Sequence, residues 1–536
     1  MHKYGTQNTG TEVAGEGKAI QRAIHAFLVV LTGSAICWAQ APINSPSIQA
    51  VQENPIADDT TKPTDKQQSP SEATVVTSAP AQAPQAPTPA TAPNQQVQTV
   101  RERPQQEITG RQPTLPAIQI GPAQLRVGGY AGLTGIYRST NSGGGTGTNF
   151  ATTPFRDTVQ GNVNETRLSA QASRLSLRVD DELPEPNKLR RLAGYFEMDF
   201  GGVAPGSVAI TSSSFTFRLR HAFMTADYGD TFSLAAGQAF SLMTPPDGQI
   251  SIWPADYELS QAVDTNYLVG LVWARVPQFR ATWRPSTRFS WAASLENPEQ
   301  QIGSNLVTLP KCCPIELDAQ YNTGTDELRI PNFMPDVVTR VAFDPVESFH
   351  LDAGAVLRVF RHTVQPFLED FRKTGFGAGV NLRFNLAESN KFIVQGSFGS
   401  GFGRYIGGLV PDVVFRSDSS ISPIRTWSWV GGIEQEVSKW TFGGYYTGVY
   451  IHRNVALDTD GSFIGYGFPN SSNSNNRLIH EATVTATVKI WGTEERGSIQ
   501  LSLQGSGLQR KPWAPEGGLD SAKAGLFFAQ IRYNLP

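Results

Sequence analysis

From residue 125 onward, apolar and polar residues alternate with a period of two. In 174–179, Leu175, Leu177 and Val179 are separated by Arg and Ser, and in 195–200 two carboxylates separate Phe and Met residues. This alternation predicts β-strands with one apolar and one polar face. Such strands suit a transmembrane barrel, with lipid outside and water inside. A soluble β-sandwich would have shorter strands and bury its apolar faces against each other.

The alternation predicts an all-β chain with a sixteen-stranded antiparallel transmembrane β-barrel over residues 123–536. An even number of strands closes such a barrel with both chain ends on one side. The predicted strands are 124–138, 167–179, 191–200, 214–228, 231–243, 270–283, 287–295, 336–344, 348–361, 374–386, 390–404, 425–437, 439–451, 477–491, 497–509 and 522–535.

The predicted connections alternate between short turns and long loops. This asymmetry is typical of outer-membrane barrels, whose short turns face the periplasm. No blade or rung motif repeats along the chain, which argues against a propeller or a β-helix. The long loops are 139–166, 201–213, 244–269, 296–335, 362–373, 405–424, 452–476 and 510–521.

The first 122 residues do not continue the strand pattern. Lys18 and Arg22 precede an apolar run over 23–31, and small residues follow, which predicts a signal peptide over 1–39 with cleavage after Ala39. Residues 40–122 are rich in Pro, Ala, Gln and Thr and too poor in apolar residues to form a core. We interpret them as a disordered periplasmic linker.

Composition narrows the classes of function. The chain has 536 residues, 44 Lys+Arg and 47 Asp+Glu, and this near balance argues against a nucleic-acid-binding protein. Mean hydropathy is −0.27, which argues against a polytopic helical membrane protein. Three cysteines are too few for a disulfide scaffold.

Seven short motifs, in order along the chain, resemble those of the DcaP-like family of trimeric outer-membrane porins. They are YFEMDF at 195–200, RLRHAF at 218–223, AGQAFS at 236–241, RVPQFR at 275–280, LENP at 295–298, MPD at 334–336 and GFGRY at 401–405. The resemblance implies a sixteen-stranded trimeric channel for small anionic solutes such as dicarboxylates. The chain departs from the family pattern in two respects. A Pro-rich segment stands where family members often carry a coiled coil, and the C-terminal residue is Pro536 rather than an aromatic.

Strand parity predicts many arginines on the inward face of the barrel. Guanidinium groups bind carboxylates with two hydrogen bonds, and rings of arginine select anions. The alternative interpretation is that these arginines form ion pairs that brace the wall. The candidate pore-lining residues are Arg174, Arg178, Arg218, Arg220, Arg280, Arg340, Arg358 and Arg383, together with the acidic Glu197 and Asp199; Arg126 has the same parity.

The resemblance implies that the loop after the fifth strand, 244–269, folds into the lumen and narrows it. Its acidic residues would then oppose the basic wall and set up a field across the constriction. Trp253 and Tyr257 are candidate packing anchors. The acidic candidates of this constriction loop are Asp247, Asp256, Glu258 and Asp264.

The leading functional interpretation is an outer-membrane porin for passive diffusion of small anionic, dicarboxylate-like solutes. General, phosphate-selective or sugar-selective porins, and barrels with enzymatic or adhesive roles, stay open as alternatives. We expect no enzyme activity, because no Ser/His pair can be placed at a rim, and no cofactor or metal site. Expected partners are outer-membrane lipid and lipopolysaccharide, two further copies in a homotrimer and the solutes, without nucleic acid. Cys312 and Cys313 lie in a loop and are compatible with an intramolecular or an intermolecular disulfide.

Overall fold

A computed structural model describes the chain from residue 117 onward, with gaps. The predicted signal peptide and nearly all of the predicted linker lie outside the described residues, as do Cys312 and Cys313. No helix in the described part is both long and apolar enough to cross a membrane. The described ranges are 117–142, 145–184, 188–203, 211–251, 253, 261–300, 306–311, 333–364, 369–387, 389–493, 496–514 and 519–535.

The described residues form β-strands and three single 3₁₀ turns. The turns are Phe150–Thr152, Gln160–Asn162 and Gly403–Tyr405. The strands are β1 (Ile118–Ile120), β2 (Ala123–Arg138), β3 (Glu165–Ser169), β4 (Arg174–Glu182), β5 (Leu189–Asp199), β6 (Arg218–Tyr228), β7 (Phe232–Phe240), β8 (Arg275–Ser286), β9 (Phe289–Glu296), β10 (Asp336–Val346), β11 (Phe349–Val364), β12 (Glu369–Ala387), β13 (Asn390–Ser400), β14 (Val413–Phe415), β15 (Ile421–Pro423), β16 (Arg425–Val437), β17 (Trp440–Ile451), β18 (Asn454–Leu457), β19 (Phe463–Tyr466), β20 (Asn476–Thr493), β21 (Gly497–Pro512) and β22 (Ala522–Asn534).

The barrel has sixteen antiparallel strands and is closed. β3 and β4 act as one barrel strand, because both pair with β2, at Thr134↔Ser169 and at Tyr130↔Arg174. β2 also pairs with β22 over Tyr130↔Asn534 to Arg138↔Leu526, which joins the two ends of the sheet. The sixteen-stranded prediction is therefore confirmed. β1 is a short addition that forms a hairpin with β2.

The outer wall is apolar and the inner wall polar, as the strand parity predicts. On β20, outward Val484 is 66% exposed, whereas its neighbour Thr485, which faces inward, is 5% exposed. The same contrast separates exposed Leu177 from Arg178 on β4. Closure removes the free sheet edges, so every barrel strand finds partners for its backbone on both sides.

One β-bulge lies where the sequence did not predict it. The β5–β6 register shifts between Glu197↔His221 and Met198↔Leu219. The two adjacent residues Arg220 and His221 are both buried as a result, while Leu219 is exposed. No bulge interrupts the β7–β8 pairing at Pro277, where the register runs through without a shift.

The long loops carry additional structure at one end of the barrel, here called the long-loop rim; the opposite end is the short-turn rim. Two hairpins, β14–β15 and β18–β19, lie within the predicted loops 405–424 and 452–476. β7 ends at Phe240 and β8 begins at Arg275, so both are shorter than predicted where the chain leaves the wall. A large apolar cluster of loop and wall residues, including Met243, Val263, Phe402 and Ile479, packs at this end.

Candidate functional site

The connection between β7 and β8, residues 241–274 and here called loop L3, is fastened to the wall where it begins. Arg280 donates a 2.6 Å hydrogen bond to the Phe240 carbonyl. Arg340 donates to the Leu242 and Met243 carbonyls and pairs with Asp352. Both arginines were predicted to line the pore, and both are buried. Their charges stabilise the carbonyls of the turning chain, so these side chains anchor the loop.

The next part of L3 rests on strands β9 to β13. Asp247 accepts a 2.6 Å hydrogen bond from Arg383 and lies 3.5 Å from the Lys391 ammonium. Gln249 donates to the Asp344 carboxylate at 2.7 Å. Asp247 is therefore the predicted acidic residue of the loop that does face basic residues of the wall.

The far part of L3 rests on a different part of the wall. The backbone N–H of Gln261 donates to the Tyr445 hydroxyl on β17 at 2.9 Å, and that of Asp264 donates to Gln504 on β21 at 2.8 Å. The described parts of L3 thus contact different parts of the wall, at Arg383 and at Tyr445.

Asp264 lies inside the loop packing and does not face the lumen. Its carboxylate accepts hydrogen bonds from the backbone N–H groups of Thr148, at 3.1 Å, and Asn266, at 2.8 Å. Burial raises the pKa of this carboxyl, and the Arg138 charge and these donors only partly oppose the effect. The predicted constriction residues Asp256 and Glu258, with Tyr257, lie outside the described residues.

The segment after Asp264 packs against the loop that follows β13. The two form a small antiparallel contact in which the N–H of Gly270 donates to the Gly407 carbonyl at 2.7 Å and that of Trp273 donates to the Tyr405 carbonyl at 2.8 Å. The residues on both sides are buried and apolar. The lumen is therefore filled by packed side chains at this part of the long-loop rim, and a water-filled path has to lie beside this contact.

Arg358 holds a second buried ion network at the same end. It is bound to Asp336 at 3.0 Å and to Asp412 at 2.8 Å, and also donates to the Gly401 carbonyl. The Tyr405 hydroxyl donates to Asp336 at 2.8 Å. This predicted pore-lining arginine ties loop to wall, so its contacts fit the bracing interpretation.

Five further predicted residues form a paired patch on β4, β5 and β6. Arg218 makes two hydrogen bonds to Asp199, at 3.0 and 2.7 Å. Arg220 bridges Glu197, at 2.5 Å, and Asp199, at 2.9 Å, and its side chain is 0% exposed. Arg174 is 3.2 Å from Glu197. Three arginines and two carboxylates leave a small net charge, most of it removed from water.

A different arrangement lies nearer the short-turn rim, where three arginines share one carboxylate. Asp180 accepts hydrogen bonds from Arg178 at 2.8 and 3.1 Å, from Arg191 at 2.6 Å and from Arg126 at 3.3 Å. The arginine side chains are 15% (Arg126), 21% (Arg178) and 17% (Arg191) exposed. We call these four residues the Asp180 cluster. Among these four residues three cations meet one carboxylate, and all three arginine side chains keep some contact with water.

Trp253 of L3 stands against this cluster. The Arg178 guanidinium lies 4.4 Å from the centre of the indole ring, within the range of a cation–π contact. The same indole packs beside Tyr195 and Phe223 on the wall. The sequence predicted Trp253 as a packing anchor, and this contact brings the loop to the basic surface.

The sequence analysis found Arg126 and Arg178 but not Arg191. Arg191 lies six residues before Glu197 on the same strand and therefore has the same parity. The alternation alone would have placed it on the inward face. In the described ranges no three His, Cys, Asp or Glu side chains are grouped to hold a metal ion.

Comparison with known proteins places the fold. No protein-family model matches the sequence, and neither does any curated protein. Among solved structures, the outer membrane channel DcaP of Acinetobacter baumannii aligns over 78% of this chain and 99% of its own, with a TM-score of 0.57 and 16% identity. The chain has the fold of that channel. The resemblance read from the seven motifs is thus confirmed at the level of the fold.

Weaker similarities extend to other barrels. An anion-selective porin from Comamonas acidovorans aligns over 77% of this chain and all of its own, with a TM-score of 0.43 and 12% identity. OmpF of Salmonella typhi aligns over 78% of this chain and all of its own, with a TM-score of 0.41 and 10% identity.

Proposed function

We propose that this protein is an outer-membrane porin through which small anionic, dicarboxylate-like solutes diffuse passively. An apolar outer wall suits lipid, and a polar inner wall suits water. The DcaP-like fold, seen at 16% identity, supports a channel rather than an enzyme. In this reading the loop side faces outward, the short-turn rim faces the periplasm, residues 1–39 are a signal peptide and residues 40–122 a periplasmic linker.

The observation that carries the anion preference is the Asp180 cluster. Three guanidinium groups meet one carboxylate, and each is in contact with lumenal water. Within the cluster cations outnumber the carboxylate by three to one, and guanidinium groups are suited to bind carboxylates. A surplus of basic side chains along a narrow path attracts anions and repels cations.

Two of these arginines are spaced to meet the two carboxylates of a dianion. Arg126 and Arg178 occupy directly paired positions on β2 and β4. Side chains at such positions lie roughly 5 Å apart at their Cβ atoms. A dianion can exchange one guanidinium for the next without entering a closed pocket, which favours passage over tight binding.

The proposal includes a homotrimer, as the resemblance to the DcaP-like family implies. Light scattering on the detergent-solubilised protein, with the detergent contribution subtracted, should give three chains per particle. A monomer that conducts with the same selectivity would remove the trimer from the proposal and leave the channel in place.

Solute uptake by proteoliposomes tests the proposed function. Succinate, succinamide and putrescine share a four-carbon chain but carry two negative charges, no charge and two positive charges. We expect succinate to enter fastest and putrescine slowest. Equal rates for all three would indicate a general porin, and faster phosphate or glucose than succinate would indicate the other selective classes. Entry of none of these solutes would contradict a porin.

A further inference from the structure

A band of basic side chains lies on the outside of the barrel at the long-loop rim. The described residues place it at the rim ends of β16, β17, β20, β21 and β22, five consecutive strands of the wall. Its five members, which we call the rim patch, are Arg425, Arg453, Arg477, Lys511 and Lys523.

Strand parity places Arg425, Lys511 and Lys523 on the outer face. Arg425 and Lys523 are exposed, and the residues after them, Thr426 and Ala524, are buried on the inner face. Lys511 pairs with outward Leu478, next to inward Arg510. These three cations therefore lie away from the channel interior. Arg453 and Arg477 join them through Trp513, which packs on Tyr450.

An indole ring organises two of the cations. The guanidinium groups of Arg453 and Arg477 lie 4.3 and 5.7 Å from the centre of the Trp513 ring. Trp513 is itself fixed by a 3.0 Å hydrogen bond from its ring N–H to the Ile451 carbonyl, and it packs on Tyr450. Cation–π contacts leave the guanidinium N–H edges available to an anion.

The charge of the patch is not neutralised by the described protein. None of the five forms an ion pair within the described ranges, in contrast to lumenal Arg178 and Arg218. Asp520 is the acidic residue described on the segment between β21 and β22, and it is exposed. Five like charges on one face repel each other, so a ligand that supplies negative charge would be stabilised there.

An aromatic and apolar belt lies directly below the patch. Trp427 and Tyr446 are exposed on the outer face, and Trp427 packs on Tyr450. Val484 and Phe527, further from the rim, are also exposed. Aromatic girdles mark the boundary between headgroups and acyl chains. The cations thus stand at headgroup depth, with an acyl-chain surface beneath them.

We propose that the rim patch binds the phosphate groups of a phosphorylated glycolipid in the outer leaflet, the lipid A portion of lipopolysaccharide. The phosphates would meet the Arg453, Arg477 and Lys511 side chains, and the acyl chains would cover the belt. This assignment rests on the proposed outer-membrane location and orientation. It adds a specific lipid site to a channel.

Native mass spectrometry of the purified full-length protein tests the site. The probe is diphosphoryl lipid A, compared with its dephosphorylated form and with phosphatidylglycerol. We expect the diphosphoryl form to bind best and R453Q/R477Q/K511Q/K523Q to bind it at least about tenfold more weakly, since the phosphates lose four cationic partners. The matched control R288Q/K439Q/K489Q/R496Q removes four exposed cations at the short-turn rim and should bind like the unaltered protein.

Three results would overturn the proposal: equal binding of the phosphorylated and dephosphorylated forms, equal losses in the rim and control variants, or preference for phosphatidylglycerol. The rim variant should keep the wild-type reversal potential in a bilayer, so a failed lipid site and a failed channel are distinguishable. An epitope inserted after Asn473 should be labelled by antibody on intact cells. Labelling only after permeabilisation would reverse the orientation and with it the lipid assignment.

Discussion

Two groups of arginines inside the barrel have opposite surroundings. Arg340 and Arg358 are buried and held by carboxylates and by carbonyls of loops that fold back into the barrel. The arginines of the Asp180 cluster share one carboxylate and are in contact with water. Identical side chains therefore have different roles. The number of hydrogen-bond acceptors around each guanidinium and its access to water determine the role. The buried group holds the loops, and the exposed group is suited to recruit solutes.

The largest expected effect is on stability, from the buried group. Replacing Arg358 by Met removes the guanidinium that Asp336 and Asp412 share in a buried site, although Arg404 stays 3.9 Å from Asp336. We expect the free energy of unfolding in urea to fall by about 3–5 kcal/mol. The triple variant R358M/D336N/D412N also removes the two carboxylate charges and should recover much of the lost stability. A single variant as stable as the unaltered protein would show that this network does not fasten the loops.

A second expected effect concerns the outer wall, which encloses both groups. Leu177→Arg places a charge in lipid and should cost about 2–4 kcal/mol if the residue lies near the membrane midplane. Ser176→Arg is the matched control, because Ser176 faces the lumen and pairs with Glu197 across the strands. Urea unfolding in liposomes measures both. Equal losses would contradict the inward and outward assignment of β4.

The smallest expected effect is on ion selectivity and concerns the Asp180 cluster. Asp180→Asn removes the carboxylate that Arg126, Arg178 and Arg191 share. The excess positive charge rises, so the anion-to-cation permeability ratio should increase by about two- to fivefold, the scale of a partly exposed ion pair. Single-channel recordings in potassium chloride measure it. A lower ratio would mean that the carboxylate is needed to hold the arginines in place.

The barrel was predictable from sequence because each strand carries its own evidence. Alternation marks the wall strand by strand, and β16 was predicted over the residues it occupies, 425–437. Contacts between a wall residue and a distant loop leave no such pattern in the nearby sequence. Arg340 binds carbonyls 97 and 98 residues away in the chain, and nothing near residue 340 indicates that L3 will meet it.

The same distinction explains the errors within the candidate site. The parity of Arg220 correctly predicted that it faces inward. Its burial could not be predicted in this way, because it depends on Glu197 and Asp199 and on the bulge beside His221. Asp264 was expected at the constriction, yet the loop folds so that this carboxylate accepts a hydrogen bond from the backbone N–H of Asn266 in the same loop. Sequence pattern therefore predicted which residues face inward, whereas loop packing decided which of them meet water.

The reversal potential of the purified protein in a planar bilayer under a potassium chloride gradient tests the central claim most directly. The unaltered channel should give the sign of chloride preference. R126Q/R178Q/R191Q should move the reversal potential towards or past zero, because Asp180 is then the charge that remains in the cluster. The control R288Q/K439Q/R496Q removes three cations at the short-turn rim and should change it little. A folded, conducting triple variant with an unchanged reversal potential would contradict the assignment of selectivity to the Asp180 cluster.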